Sequence, residues 1–201
     1  MFVKNGEVFF FDAPLNAMLR AMPMILISSS IFDAINKHDS WIYPISLGTI
    51  EIANALLKKR VFKPLMGTHK WPIIGSGERP KNAINCGSFI NPYNPFKPSS
   101  SYGMPSGHSQ LAVAVATYQI LKHNFKTESI LFWGAIASTT SISRYTLGCH
   151  TPQQVIVGVL LGLSCGYSIF YLRNNFDGIS IIQNLQELKF LRTLMPAKTL
   201  R

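Results

Sequence analysis

Uncharged apolar runs recur along the chain at lengths that suit helices crossing a bilayer. The clearest covers residues 145–172, which contain no Lys, Arg, Asp or Glu. Its apolar core at 155–172 approaches the ~20 residues that a crossing requires. Gly158, Gly162 and Gly166 recur at every fourth position within it, so they share one helix face, a spacing that lets helices pack closely in lipid. Four weaker runs precede it. Residues 108–121 and 129–143 are uncharged, 40–57 is interrupted only by Glu51, and 14–32 only by Arg20, with Pro23 predicting a kink. The pattern predicts an all-α, polytopic membrane bundle of about five transmembrane helices, with about four as the alternative count. From Arg173 onward the pattern changes. Ile181, Ile182, Leu185, Leu188 and Leu191 keep helical spacing with Lys189 and Arg192 among them, which predicts an amphipathic helix lying in the interface. The predicted division is an integral-membrane domain at 1–172 and an interfacial tail at 173–201. The first residues show no compact positive region followed by a cleavage site, so no removable signal peptide is predicted.

A linker at 58–105 separates the second and third runs and concentrates Pro, Gly, Ser and Asn. Its length predicts a functional loop rather than an idle connection. Composition sharpens this. Hydrophobic residues make up 47% of the 201 and charged residues 14%, against ~25% charged in an ordinary soluble domain. The charges are lopsided: 19 Lys+Arg against 9 Asp+Glu leaves +10. Such an apolar chain is not a disordered basic tail, and a small soluble nucleic-acid binder fits it poorly. Seven of the basic residues fall within 58–81, opposed there only by Glu78. Contact with lipid headgroups would use them, and so would an anion-binding site. Cys86, Cys149 and Cys165 are odd in number and predict neither a disulfide framework nor a paired-cysteine zinc site.

Three polar clusters border the runs: Lys58 with Arg79 and Pro80; SYGMPSGHSQ at 101–110; and SRYTLGCHTPQQ at 143–154. If the spans alternate, all three emerge at one end of the bundle. Together they suit a phosphoryl group. Lys58, Arg79 and Arg144 supply positive charge, and the guanidinium forks can hold oxygens bidentately. Ser106 and Gly107 lie where a helix should begin, so their backbone N–H groups can face an anion. His108 and His150 complete the minimum for covalent transfer, one attacking phosphorus and the other protonating the leaving oxygen. Thr151, Pro152 and Gln154 also predict a capped helix start. No H-E-x-x-H or P-loop motif occurs, and Cys149 lacks the Arg six residues later that a thiol phosphatase loop needs, since Val155 stands there. His38, His69 and His123 are predicted to be surface residues.

Pro105-Ser-Gly-His108 and Ser143-Arg144-x5-His150 resemble the second and third signatures of the type-2 phosphatidic acid phosphatase superfamily. The wider strings around them are similar to its dolichyldiphosphatase branch. The resemblance covers roughly residues 50–172. It implies that His150 forms a phosphohistidine, that His108 is the general acid, and that Arg79, Arg144, Ser106 and Gly107 bind the transferred phosphoryl. It implies no metal and no cofactor, the fixed cations replacing a metal electrostatically. Two departures stand out. The superfamily lysine six residues before Arg-Pro is absent; Asn54-x3-Lys58-x5-Pro64 matches the dolichyldiphosphatase pattern instead, which favours Lys58 over Lys63 and Lys70. Gln154 stands where most of the superfamily has Asp, as in that same branch. A Gln carbonyl can orient the His150 imidazole but favours its protonated form less than a carboxylate would.

These features predict a membrane lipid pyrophosphatase that hydrolyses a polyprenyl (dolichyl-type) diphosphate to the monophosphate. The runners-up are a phosphatidate or other lipid-phosphate phosphatase and a non-catalytic lipid-binding relative. The partners predicted are the membrane lipid substrate and the bilayer, without nucleic acid. Lys37, Lys122, Lys126, Arg173 and Arg192 fall opposite the clusters, so the positive-inside rule puts the site on the lumenal or extracytoplasmic side. The predicted location is the endoplasmic reticulum or another internal membrane, or the plasma membrane if the protein is bacterial.

Overall fold

The computed structural model describes residues 2–4, 7–9, 13–36, 40–81, 83 and 101–176. Five long helices dominate it: α1 (Ala13–Asn36), α2 (Ile42–Leu56), α4 (Gly107–Lys122), α5 (Thr127–Thr146) and α6 (Pro152–Asn175). Each falls on one of the five apolar runs. Two of them, over Ala17–Asn36 and Pro152–Asn175, are long and apolar enough to cross a membrane. Only 39% and 22% of their apolar windows are buried, so most of that surface faces outward, unlike the core helix of a soluble protein. Ile25, Phe32, Ile52, Leu131, Phe132 and Leu160 are exposed on the outside of the bundle. The sixteen residues of α4 rise only about 24 Å, which is short for an independent crossing.

α4 is the central helix. Its sequence is small and uncharged around most of its circumference, the composition of a helix buried on all sides. Leu111, Ala114, Val115 and Tyr118 pack there against Leu47 and Ile50 of α2, Leu19 and Met22 of α1, and Ile169 of α6. The α6 glycines explain the close approach of α6. A Cβ at Gly158 would lie 2.5 Å from the Ser106 carbonyl oxygen, one at Gly162 2.6 Å from that of Gln110, and one at Gly166 2.5 Å from that of Ala114. The fourfold glycine spacing is therefore a groove for the α4 backbone. A buried polar bridge adds direction: Asn54 Nδ2 of α2 donates to Gln110 Oε1 of α4 at 2.6 Å.

Three expectations need correction. The linker does not begin at Lys58: α2 runs straight into a π-helical stretch, Leu57–Phe62, and a last turn, α3 (Lys63–Met66). Leu57, Lys58, Lys59 and Arg60 are good helix formers, and the wider π turn eases the ring of Pro64 into the helix. The fold is not purely α. Two small antiparallel hairpins occur, β1 (Phe2–Lys4) with β2 (Glu7–Phe9), and β3 (Lys70–Trp71) with β4 (Gly75–Ser76). The first follows from Asn5-Gly6 between two triplets rich in Phe and Val, a strong short-range hairpin signal. The third concerns the cysteines: Cys149, fully buried, is in a disulfide, and Cys165 is the free thiol among the described residues. α6 continues to Asn175, slightly past the predicted boundary at 172. The amphipathic tail beyond it lies outside the described residues, as do His38 and Lys37.

Candidate active site

The termination of α5 explains the spacing between Arg144 and His150. Leu147 N–H still reaches the Ser143 carbonyl at 3.0 Å. Gly148 then adopts φ +66°, a left-handed conformation that suits glycine at a helix end. The chain folds back, and the N–H groups of Cys149 and His150 both donate to the Arg144 carbonyl, at 3.0 and 3.1 Å. His150 is thereby fixed to the residue that precedes it by six. The Arg144 side chain is fully buried and donates through Nε and Nη2 to Ser143 Oγ at 3.1 and 2.9 Å, while that hydroxyl donates to the Thr140 carbonyl at 2.6 Å.

Gln154 organises the ring of His150. Its amide Nε2 donates to the carbonyls of Ser76 and Glu78 at 3.0 and 2.6 Å, which orients the amide and directs Oε1 at His150 Nδ1, 3.0 Å away. An amide oxygen only accepts, so Nδ1 carries the proton. The other ring nitrogen, Nε2, lies 3.3 Å from Arg79 Nη1. A guanidinium only donates, so Nε2 presents its lone pair. Gln154 also closes the predicted capping box with Thr151, so orienting the histidine and capping α6 are one arrangement. Gly103 makes room for it, since a Cβ there would sit 2.6 Å from Gln154 Nε2.

Arg79 joins the first cluster to the third. It donates to the Ser101 carbonyl at 3.0 Å, to Ser101 Oγ at 2.9 Å and to the Cys149 carbonyl at 2.9 Å. Both guanidinium forks are thus partly engaged by neighbouring protein oxygens. Lys58 is half-buried in the π stretch, within electrostatic reach of both histidines. Burial, and then the charge of Arg79, lower its ammonium pKa to about 8, against the opposing charge of Glu51. Lys63 and Lys70 are exposed, so geometry favours Lys58 among the three lysines. His150 is held well below the ordinary imidazole range, by burial first and then by Arg79 and Lys58, with the Gln154 bond opposing.

The second cluster differs in detail from expectation. The Ser106 N–H, predicted to face an anion, donates to the Gln154 carbonyl at 3.0 Å, and the Ser106 hydroxyl pairs with Ser109 Oγ at 3.0 Å. The reason is the tight glycine contact of α6, which brings the two helix starts together. Gly107 and His108 head α4, where amides have no partner within the helix, and a Cβ on Gly107 would be 3.1 Å from Asn54 Oδ1. His108 Nε2 lies 2.9 Å from the Arg20 carbonyl of α1. That oxygen only accepts, so this nitrogen carries the proton. His108 also lies within electrostatic reach of Arg144, Lys58 and Arg79.

The structure therefore gathers His108, His150, Gln154, Lys58, Arg79, Arg144, Ser106 and Gly107 at one end of the helices. His69 and His123 are exposed as expected. Sequence reasoning missed Arg20, which is 2% exposed, and the carbonyls of Ser76 and Glu78. Among the described residues no three His, Cys, Asp or Glu side chains converge as a metal site would require.

The sequence profile of the PAP2 superfamily matches residues 40–177. The chain is 34% identical over 103 residues to the dolichyldiphosphatase of Saccharomyces cerevisiae, covering 46% of this chain and 43% of that protein. It is 34% identical over 93 residues to phosphatidylglycerophosphatase B of Bacillus subtilis, covering 42% and 44%. The matched region spans less than half the length of each relative. No solved structure matches the chain.

Proposed function

The chain belongs to the PAP2 superfamily, and from that premise we propose that it is a metal-independent membrane phosphatase that hydrolyses a polyprenyl diphosphate to the monophosphate and inorganic phosphate. The observation that carries the chemistry is the fixed tautomer of His150. Its Nδ1–H is held by Gln154 and its Nε2 lone pair faces the Arg79 side. In the first step Nε2 attacks the terminal phosphorus, a P–N bond forms, and the bridging P–O bond breaks. His108, as the imidazolium, gives its Nδ1 proton to the leaving oxygen while its Nε2–H stays on the Arg20 carbonyl. In the second step water attacks the phosphohistidine, releasing phosphate and restoring the neutral ring, with His108 taking the water proton. Lys58, Arg79, Arg144 and the amides at the start of α4 stabilise the charge that develops on the transferred group.

A diphosphate on a long tail suits a site at one end of an apolar bundle, with the tail in the bilayer and the head among the cations. The yeast relative's name supports this substrate; the bacterial relative's name supports a lipid phosphate monoester instead. Purified protein tested in detergent against polyprenyl diphosphate and phosphatidylglycerophosphate separates the two. Preference for the diphosphate, undiminished by EDTA, is the expected result, and preference for the monoester would replace the reading. His150→Ala and His108→Ala should each lower phosphate release by roughly 10³-fold or more. Full activity in either variant would refute its assigned role.

A further inference from the structure

Two buried amides tie the helices together beside the site. Asn54 of α2 is 4% exposed and Gln110 of α4 is 1% exposed. Polar side chains buried in a membrane bundle are costly and usually serve a function. Their arrangement is directional. Gln110 Nε2 donates to Cys165 Sγ of α6 at 3.7 Å, which leaves Oε1 to accept from Asn54 Nδ2 at 2.6 Å. Asn54 Oδ1 then faces the start of α4, where a Cβ on Gly107 would lie 3.1 Å from it. One chain of polar groups thus joins α2, α4 and α6. Asn54 also stands where α2 changes geometry. The N–H of Leu57 is shared between the carbonyls of Ala53 and Asn54, and the π-helical stretch that carries Lys58 begins there. Asn54 is the last buried residue of α2; the π stretch has none, and the next is Met66 in α3. Lys58 follows that anchor by four residues, about one helical turn.

We propose that Asn54, held by Gln110, is a positioning residue that sets the depth of Lys58 against the start of α4, so that the ammonium and the α4 amides meet one phosphoryl group. The inference rests on the phosphatase reading above and deepens it. Asn54 acts through Lys58 rather than on the lipid. Apolar helix faces in lipid have little hydrophobic reason to keep one register, whereas a hydrogen bond between helices fixes one depth. Without the bridge, α2 keeps its apolar contacts through Leu47 and Ile50, but Lys58 loses its fixed place.

Leu and Met match Asn and Gln in shape without their polar ends, and replacing both partners of a buried hydrogen bond in this way costs little stability. Asn54→Leu/Gln110→Met, Lys58→Met and the triple variant are purified in detergent beside the wild type. Phosphate release from polyprenyl diphosphate and from phosphatidylglycerophosphate gives kcat/KM for each. The paired variant should melt near the wild-type temperature yet lose about tenfold to a hundredfold in kcat/KM, the range for a misplaced reacting group. In the Lys58→Met background the same pair should change the rate by less than about threefold, because coupled residues do not add. Losses that multiply in the triple variant would mark the bridge as general support for the bundle and overturn the assignment. Wild-type kcat/KM in the paired variant, or in Lys58→Met, would overturn it too. If the paired variant does not accumulate as folded protein, Gln110→Met alone goes through the same cycle: non-additive losses support the assignment and additive ones overturn it. Wild-type protein that releases phosphate from neither lipid defeats the phosphatase reading and this inference with it, whereas wild-type activity with additive losses defeats the Asn54 assignment alone.

Discussion

Gln154 fixes both the tautomer and the position of the His150 ring, the nucleophile of the proposed reaction. An acidic residue in its place would hold His150 as well but would favour the imidazolium, which cannot attack. It would also set negative charge against the Ser76 and Glu78 carbonyls that the amide now binds at 3.0 and 2.6 Å. The pH dependence follows with a definite sign. His150 must be neutral to react, and its pKa is held below the ordinary imidazole range, so the acid limb of kcat/KM should lie at low pH. Gln154→Asp introduces a carboxylate, raises the His150 pKa, and should move that limb to higher pH. Gln154→Ala, which removes the orienting acceptor, should lower kcat about tenfold, the value of one hydrogen bond. Turnover and pH profile unchanged in Gln154→Ala would reduce the residue to a helix cap. The convergence of these residues was legible because histidine, arginine and an amide at fixed spacing suit one site. Arg20 was not legible, because a single charge in an apolar run carries no spacing; only the packing of α1 against His108 places it.

At the scale of elements, the α4–α6 contact is what aligns the two helix starts, and the glycine face makes it possible. Gly158→Ala would force a Cβ against the Ser106 carbonyl, and overpacking of this kind costs about 1–3 kcal/mol. The strain falls directly on the residue whose N–H binds the Gln154 carbonyl, so activity should fall along with thermal stability. Gly134 on α5 is the control, since nothing lies within 4 Å of a Cβ there. Gly134→Ala should keep activity and stabilise by about 0.4–1 kcal/mol through the unfolded chain. Thermal unfolding in detergent, read beside phosphate release, checks the pair. The helices and the glycine face could be read from apolar periodicity, which reports burial directly. The extension of α2 through Lys58 to Met66 could not, because Pro64 and the dense positive charge imitate a loop. What keeps that stretch helical is local propensity together with a π turn, and neither leaves a periodic mark.

For the whole molecule, helix direction turns local clusters into sidedness. α2 and α5 run toward the site and α4 and α6 start from it, so the α4–α5 turn and the end of α6 lie at the far end of the bundle. Lys122, Lys126 and Arg173 gather there, and an excess of such residues marks the cytoplasmic face. Lys58, Arg79 and Arg144 at the opposite end are accounted for by the phosphate chemistry proposed for them, but Lys59, Arg60, Lys63, Lys70 and Lys81 are not, so the charge count alone does not decide the orientation. The orientation expected from the family resemblance has the site facing the lumen or exterior. The turn between β3 and β4 offers a direct test, since Ile73 is 88% exposed and lies on the site side. In a eukaryotic membrane system, a glycan acceptor inserted there should be modified, while one inserted at Asn124 in the α4–α5 turn should not. Modification at Asn124 alone would invert the molecule, and the charge at the site end would then have to be counted as topogenic after all. Modification at both sites would contradict any fixed orientation in which the helices cross together.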